Sequence, residues 1–188
     1  MRDWAARDGL AVVGILSDRK AAGVHARAAR LGLPSRYVGR ARRERPGGLL
    51  EVLEGFRPDL IALAGYLRLV PADVLAAFPE RVVNIHPALL PRHGGPGMYG
   101  RHVHEAVVAA GDRQTGVTIH LADARYDEGR ILAQAATEVP AGATPEEVAA
   151  RVLALEHRHY PPTLAAYATH LGPRLPANGH LADGAGAS

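Results

Sequence analysis

The sequence predicts an α/β domain: a mostly parallel, twisted sheet with helices on both faces. Three observations carry this. Apolar, β-rich runs recur at Leu10–Leu16 (LAVVGIL), Leu60–Leu67 (LIALAGYL) and Val82–His86 (VVNIH). Stretches with a helical apolar stripe lie between them, as connected parallel strands require. The composition, 47% hydrophobic but only 5% aromatic, suits aliphatic strands covered by Ala- and Leu-rich helices. A chain of 188 residues is long enough to bury one such core.

Taken in order, Trp4–Arg7 reads as the end of a helix and Asp8-Gly9 as its stop. Leu10–Leu16 is the first buried strand, ending at Ser17-Asp18. Ala21–Leu31 is helical, with Gly32 as its C-terminal stop. Residues 34–38 form a short strand, and the Arg-rich run Arg36–Arg45 is a solvated loop. Leu49, Leu50, Leu53 and Phe56 share one face of a second helix. Leu60–Leu67 is the next buried strand, Pro71 opens a short helix to Phe78, and Val82–His86 is a third buried strand. His102–Ala110 is a helix closed by Gly111. Gly116–Leu121 and Arg130–Val139 are strands joined by the polar loop 122–129. Thr144-Pro145-Glu146-Glu147 carries the signature of a capped helix start. That helix should run to Tyr160, where Pro161-Pro162 breaks it. From Gly172 a frayed tail, 172–188, is expected after a single domain, 1–171.

All but one of the 22 Lys and Arg residues are Arg, and the net charge is +3. The basic run Arg36–Arg45 is interleaved only by Tyr37, a weak pattern for nucleic acid, and no nucleic-acid partner is expected. With no cysteine, disulfides, thiolate metal sites and thiol nucleophiles are excluded, which fits a cytoplasmic protein. No stretch approaches the ~20 apolar residues that span a bilayer, and MRDWAARDG has no apolar run of the signal-peptide kind. No membrane partner is expected; the chain should act on small molecules as a monomer or homodimer.

The segment VNIHPALLPRHGGPGMYG holds the chemistry. Asn84 and His86 are two apart on a strand, so they project from one face at its C-terminal end, where open parallel sheets collect ligands. An amide donor beside an imidazole can hold a developing oxyanion while the imidazole handles a proton. A carboxylate is needed nearby, and Asp127, before Glu128-Gly129, is the best candidate of the 122–129 loop. The alternative is structural, with Asn84 tying down a loop and His86 satisfied in the core. A zinc site built from His86, His102 and His104 is a second alternative, although no helical His-Glu-x-x-His arrangement accompanies them.

Asn84-Ile85-His86-Pro87-Ala88-Leu89-Leu90-Pro91, the strand Gly116–His120 and Asp127-Glu128-Gly129-Arg130-Ile131-Leu132 together resemble the 10-formyltetrahydrofolate-dependent formyltransferase superfamily. The likeness covers about Leu10 to Tyr167. The segment Leu155–Pro161 is most similar to the branch that formylates glycinamide ribonucleotide in purine biosynthesis. The resemblance implies a Rossmann-like formyltransferase fold, 10-formyltetrahydrofolate as co-substrate and no metal. It implies Asn84, His86 and Asp127 as the catalytic trio, with Thr118 and His120 supporting them. Leu67, Arg68, Leu69, Val70 and Asp123 would hold the folate, whose pterin lies against the 122–128 loop. Pro87 and Glu156 would meet the ribonucleotide. A folate-binding relative without catalysis, or transfer to another amine such as that of a sugar nucleotide, are the alternatives.

Two departures accompany the likeness. The loop Gly94–Gly100 is longer than in many members and is expected at the mouth of the site. The superfamily also opens with a strand and a Gly-Ser turn that binds the substrate phosphate. The sequence reads as starting inside that first unit, which is expected to be truncated. If the chain is whole, oligomerisation or strand exchange should cover the edges left beside the missing strand.

Overall fold

The computed structural model describes residues 9–174. The elements are β1 (Ile15–Ser17), α1 (Gly23–Leu31), β2 (Ser35–Tyr37), α2 (Arg40–Glu44), α3 (Gly48–Glu54), β3 (Ile61–Leu63), α4 (Ala72–Ala77), β4 (Val82–His86), α5 (Arg101–Ala109), β5 (Gln114–Leu121), β6 (Ile131–Glu138) and α6 (Pro145–Leu171). Strands β1 and β2 pair in parallel as a two-stranded sheet. A second sheet has the order β3-β4-β5-β6, with β3–β4 parallel and the other two pairs antiparallel. Among the described residues no helix is long and apolar enough to cross a membrane. The expected turn of helix at 4–7 lies outside the described residues.

Strand β4 explains the layering. Its alternate residues Val83 and Ile85 enter a core with Val107 of α5, Val117 and Ile119 of β5 and Val148 and Val152 of α6. Val82 faces the opposite way, into a core with Leu53 of α3 and Val74 and Phe78 from the α4 segment. Helices therefore cover both faces, as the continuous apolar run predicts. Leu16 of β1 packs against that second core, which ties the two sheets together.

Four expectations are corrected. The runs Leu10–Leu16 and Leu60–Leu67 yield only the three-residue strands β1 and β3, and neither is buried throughout. Val12 and Val13 are 38% and 43% exposed. A strand needs a ladder as well as apolar side chains, and β1 pairs with β2 only from Ile15↔Ser35 to Ser17↔Tyr37. Beyond Leu63, Gly65 takes φ +68° and turns the chain out of extended conformation. The Arg-rich run is not a loop: residues 40–44 form α2, in which Arg40 pairs with Glu44 one turn on, while Arg42 and Arg45 converge on Glu51.

Helix α6 starts at the Thr144–Glu147 capping box, as expected, but runs through Pro161 and Pro162 to Leu171. The two prolines remove N–H donors to the carbonyls of His157 and Arg158, both exposed, where water can replace them. Packing on either side holds the helix together. The Tyr160 hydroxyl lies 2.9 Å from the carbonyls of both Leu63 and Val83, and the Tyr167 hydroxyl donates to Glu80 O at 2.9 Å. Burial raises the pKa of Tyr160 far above the ordinary phenol value.

Residues 172–174, expected to open the tail, are fastened instead. The Arg174 guanidinium binds Glu54 at 2.6 and 3.1 Å and stacks 3.9 Å above the Phe78 ring, while the backbone N–H of Arg174 donates to Asp59. The remainder of the expected tail lies outside the described residues.

Through its hydroxyl, Tyr160 joins α6 to both strands of the β3–β4 pair. Tyr160→Phe is expected to lower stability by about 1–3 kcal/mol, because the two carbonyls lose the one O–H proton that they share. The measure is the urea midpoint at constant slope; an unchanged midpoint would show that the hydroxyl holds nothing.

Candidate active site

The antiparallel pairing of β4 with β5 sets Asn84 opposite His120 and His86 opposite Thr118. These four polar residues share the sheet face opposite Val83, Ile85, Val117 and Ile119. Between Ile119 and His120 the β5–β6 register slips, from Ile119↔Ala133 to His120↔Ile131. A bulge beside a cluster of polar side chains re-aims the residues next to it.

His86, buried to 3% exposure, is engaged on both nitrogens. Nε2 lies 2.8 Å from the carbonyl of His93; a carbonyl only accepts, so Nε2 carries a proton and donates it. Nδ1 faces Asp127 Oδ2 at 3.4 Å. His120 donates from Nδ1 to the Leu121 carbonyl at 2.9 Å, and its Nε2 lies 3.1 Å from Asn84 Nδ2 and 3.6 Å from Asp127 Oδ1. The Asn84 amide donates to this Nε2.

Asp127 is the charge at the centre. Its side chain is 10% exposed, and its backbone takes φ +59°, uncommon for a residue with a Cβ. Burial opposes its ionisation and is the largest single influence. Hydrogen bonding to His120 and His86, the His86 charge and the Gly95 N–H (2.9 Å) outweigh it together and hold the carboxyl well below its ordinary range. Two glycines make this approach feasible. A Cβ on Gly94 would lie 2.4 Å from Leu90 Cδ2 and 3.3 Å from Asp127 Cβ, and Gly95 has φ +93°. The Gly-rich loop therefore wraps onto Asp127.

Thr118 fastens the turn that follows His86. Its hydroxyl donates to Ala88 O (2.7 Å) and accepts from Leu90 N–H (2.9 Å) and from Gln134 Nε2 (2.9 Å). Gln134 also donates to Leu90 O at 3.0 Å. Sequence reading missed Gln134, although its register position opposite Thr118 follows once β5 and β6 are paired.

The remaining expected residues divide. Glu156, half-buried on α6, has its carboxyl pushed up by burial against the opposing charges of His157 and His86, which places it within electrostatic reach of His86. Leu67 and Leu69 are exposed after β3, and Arg68 pairs with Asp18 at 3.4 Å. Val70 instead turns its side chain into the core with Leu53, Val74 and Phe78, so only its backbone faces outward chemistry. Ala122 packs on that same core and the Tyr126 hydroxyl acts on Tyr66, which brings the 122–129 loop beside the 66–70 segment. Asp123 accepts from the Arg125 N–H at 2.8 Å and shapes that loop. Pro87 is half-buried at the end of β4.

The zinc alternative is not supported by the geometry. His102 and His104 are two apart on α5 and diverge: the side chain of His102 is 60% exposed and faces Glu105, whereas His104 is buried. Among the described residues no group of three or more His, Asp or Glu side chains is arranged to hold a metal ion. Burial first, then the charge of His86, lowers the pKa of His104, and its Nδ1 has no partner among the described residues. Both influences favour its neutral form.

Comparison with known proteins identifies the family of the chain. The profile of the "Formyl transferase" family matches residues 5–164. The chloroplastic phosphoribosylglycinamide formyltransferase of Arabidopsis thaliana is 46% identical over 154 residues, 79% of this chain and 53% of that protein. Its counterpart from Vigna unguiculata is 51% identical over 115 residues, 61% of this chain and 37% of that protein. The chain thus spans about half the length, or less, of these curated relatives. The crystal structure of glycinamide ribonucleotide transformylase 1 from Symbiobacterium toebii superposes with a TM-score of 0.80 at 36% identity, covering 88% of this chain and 79% of that one. With the family profile spanning both sheets and every polar group of the β4–β5 face, the chain belongs to the formyl transferase family.

Proposed function

We propose that the chain transfers the formyl group of 10-formyltetrahydrofolate to the amine of glycinamide ribonucleotide. The observation that carries this reading is the convergence of Asn84, His86 and Asp127 at the end of β4, in a family whose relatives bear that reaction in their names. The amine attacks the formyl carbon, a C–N bond forms, and the carbonyl π pair moves onto oxygen. Asn84 has a second amide N–H to donate to that oxygen, and the His86 imidazolium adds positive charge beside it. Collapse breaks the bond to the folate nitrogen, which leaves with one proton. The attacking nitrogen loses one, and water relays it past the Asp127 carboxylate and His86.

The ionised Asp127 has two tasks here. It favours the charged form of the ring it faces, and its charge helps the proton pass through the relaying water. Thr118 and His120 act behind these groups by fixing the 88–90 turn and the Asn84 amide. The folate pterin lies against the backbone of 67–70 and the 122–128 loop with Asp123. Pro87 and Glu156 meet the ribonucleotide. No metal takes part in this reading.

His86→Ala is expected to abolish turnover while folate affinity, by calorimetry, stays within a few-fold; unchanged turnover would refute its role. Calorimetry also tests the acceptor, since folate binding without binding of glycinamide ribonucleotide would remove it.

Asp127 fixes the sign of a pH effect. Its depressed folded pKa stabilises the fold fully above the ordinary carboxylate value of about 4, and this is lost as pH falls from there toward the folded value. Asp127→Asn should therefore be less stable than wild type near neutral pH, with the gap closing below about pH 4. Thermal unfolding against pH reads this, and a gap that stays constant into acid would contradict the assignment.

A further inference from the structure

Three residues outside the trio form a connected path to His86. Asp112 follows α5 and leads into β5. Its side chain is 8% exposed, and its backbone N–H donates to the carbonyl of Val107, a fully buried residue of α5, at 3.3 Å. The Asp112 carboxylate accepts from His93 Nε2 at 2.7 Å and from Arg92. The bond from His93, and then the Arg92 charge, hold its carboxyl below the ordinary range against the effect of burial. His93 has φ +55°, a left-handed conformation that a residue with a Cβ seldom adopts without a tether. In that conformation its carbonyl receives the Nε2–H of His86 at 2.8 Å.

We propose that Asp112 is a positioning residue for His86, acting through His93. The carboxylate grips the His93 ring, the ring fixes an uncommon backbone conformation, and the backbone carbonyl accepts the Nε2–H of His86 and sets the ring plane. The orientation of an imidazole is set by the partner that each ring nitrogen meets. Here the partner is a carbonyl on a loop containing Gly94, Gly95, Gly97 and Gly100, a segment with little stiffness of its own. The Asp112–His93 bond supplies that stiffness on one flank of His86, and the Gly95 N–H to Asp127 supplies it on the other. With both in place, Nδ1 is left facing Asp127.

The proposal deepens the formyl-transfer reading and rests on it only for kinetics, so two readouts are used. In heteronuclear NMR of the wild-type chain, the His86 Nε2–H should give a hydrogen-bonded, slowly exchanging signal, assigned by its loss in His86→Ala. Asp112→Asn and His93→Gly should each lose that protection, although glycine accepts the backbone conformation freely. Their kcat should fall about ten- to a hundred-fold, with folate KM within a few-fold. His93→Gln, whose amide can still donate to Asp112, should recover part of both signals. An unaltered His86 signal with unaltered kcat in Asp112→Asn would overturn the proposal. If Asp112→Asn fails to fold, His93→Gly decides the same question. If the wild type transfers no formyl group, the functional reading fails, and the NMR readout still decides the Asp112–His93–His86 path.

Discussion

Strand β4 must be buried on both faces and still deliver two polar side chains to the site. Val83 and Ile85 occupy one core and Val82 the other, so the strand cannot slide or rotate without moving apolar surface into water. That lock makes the positions of Asn84 and His86 a consequence of packing. Pairing with β5 extends the lock to His120 and Thr118, since a one-residue slip would exchange them for Val117 and Ile119. The polar face of the β4–β5 pair is therefore as rigid as the core behind it.

On that face a single buried carboxylate organises the charges. Asp127 is ionised in a place where burial disfavours it, because two histidines and a backbone N–H together outweigh the cost. Its approach depends on a loop that can come very close, hence Gly94 and Gly95 opposite it. The same loop returns to the frame through His93 and Asp112. The site is thus a rigid sheet face closed by a pliant loop tied down at two points, each contacting a different nitrogen of His86.

Much of this was readable from residue order. The strand Val82–His86, the capped start at Thr144, the helix before Gly111 and the β5–β6 pair follow from local pattern, and each forms near its expected place. The Asn84–His86 pairing on one face follows from strand geometry alone. Where local pattern failed, a partner decided. Apolar runs at 10–16 and 60–67 have the right side chains, but ladder partners and Gly65 limit them to three residues each. The proline pair in α6 reads as a stop, yet Tyr160 and Tyr167 hold the helix on both sides of it.

By itself, the sequence determined the alternation of strands and helices, the two-residue spacing that aims Asn84 and His86 together, and the candidate carboxylate. These depend on periodicity and on residues close in the chain. Tertiary structure decided which groups surround them: Gln134 behind Thr118, His104 beside His86, and Asp112 behind His93. The Gln134–Thr118 and Asp112–His93 hydrogen bonds join residues 16 and 19 positions apart, and only the folded sheet brings such pairs within reach. No local propensity marks a residue whose role is to orient another through a third.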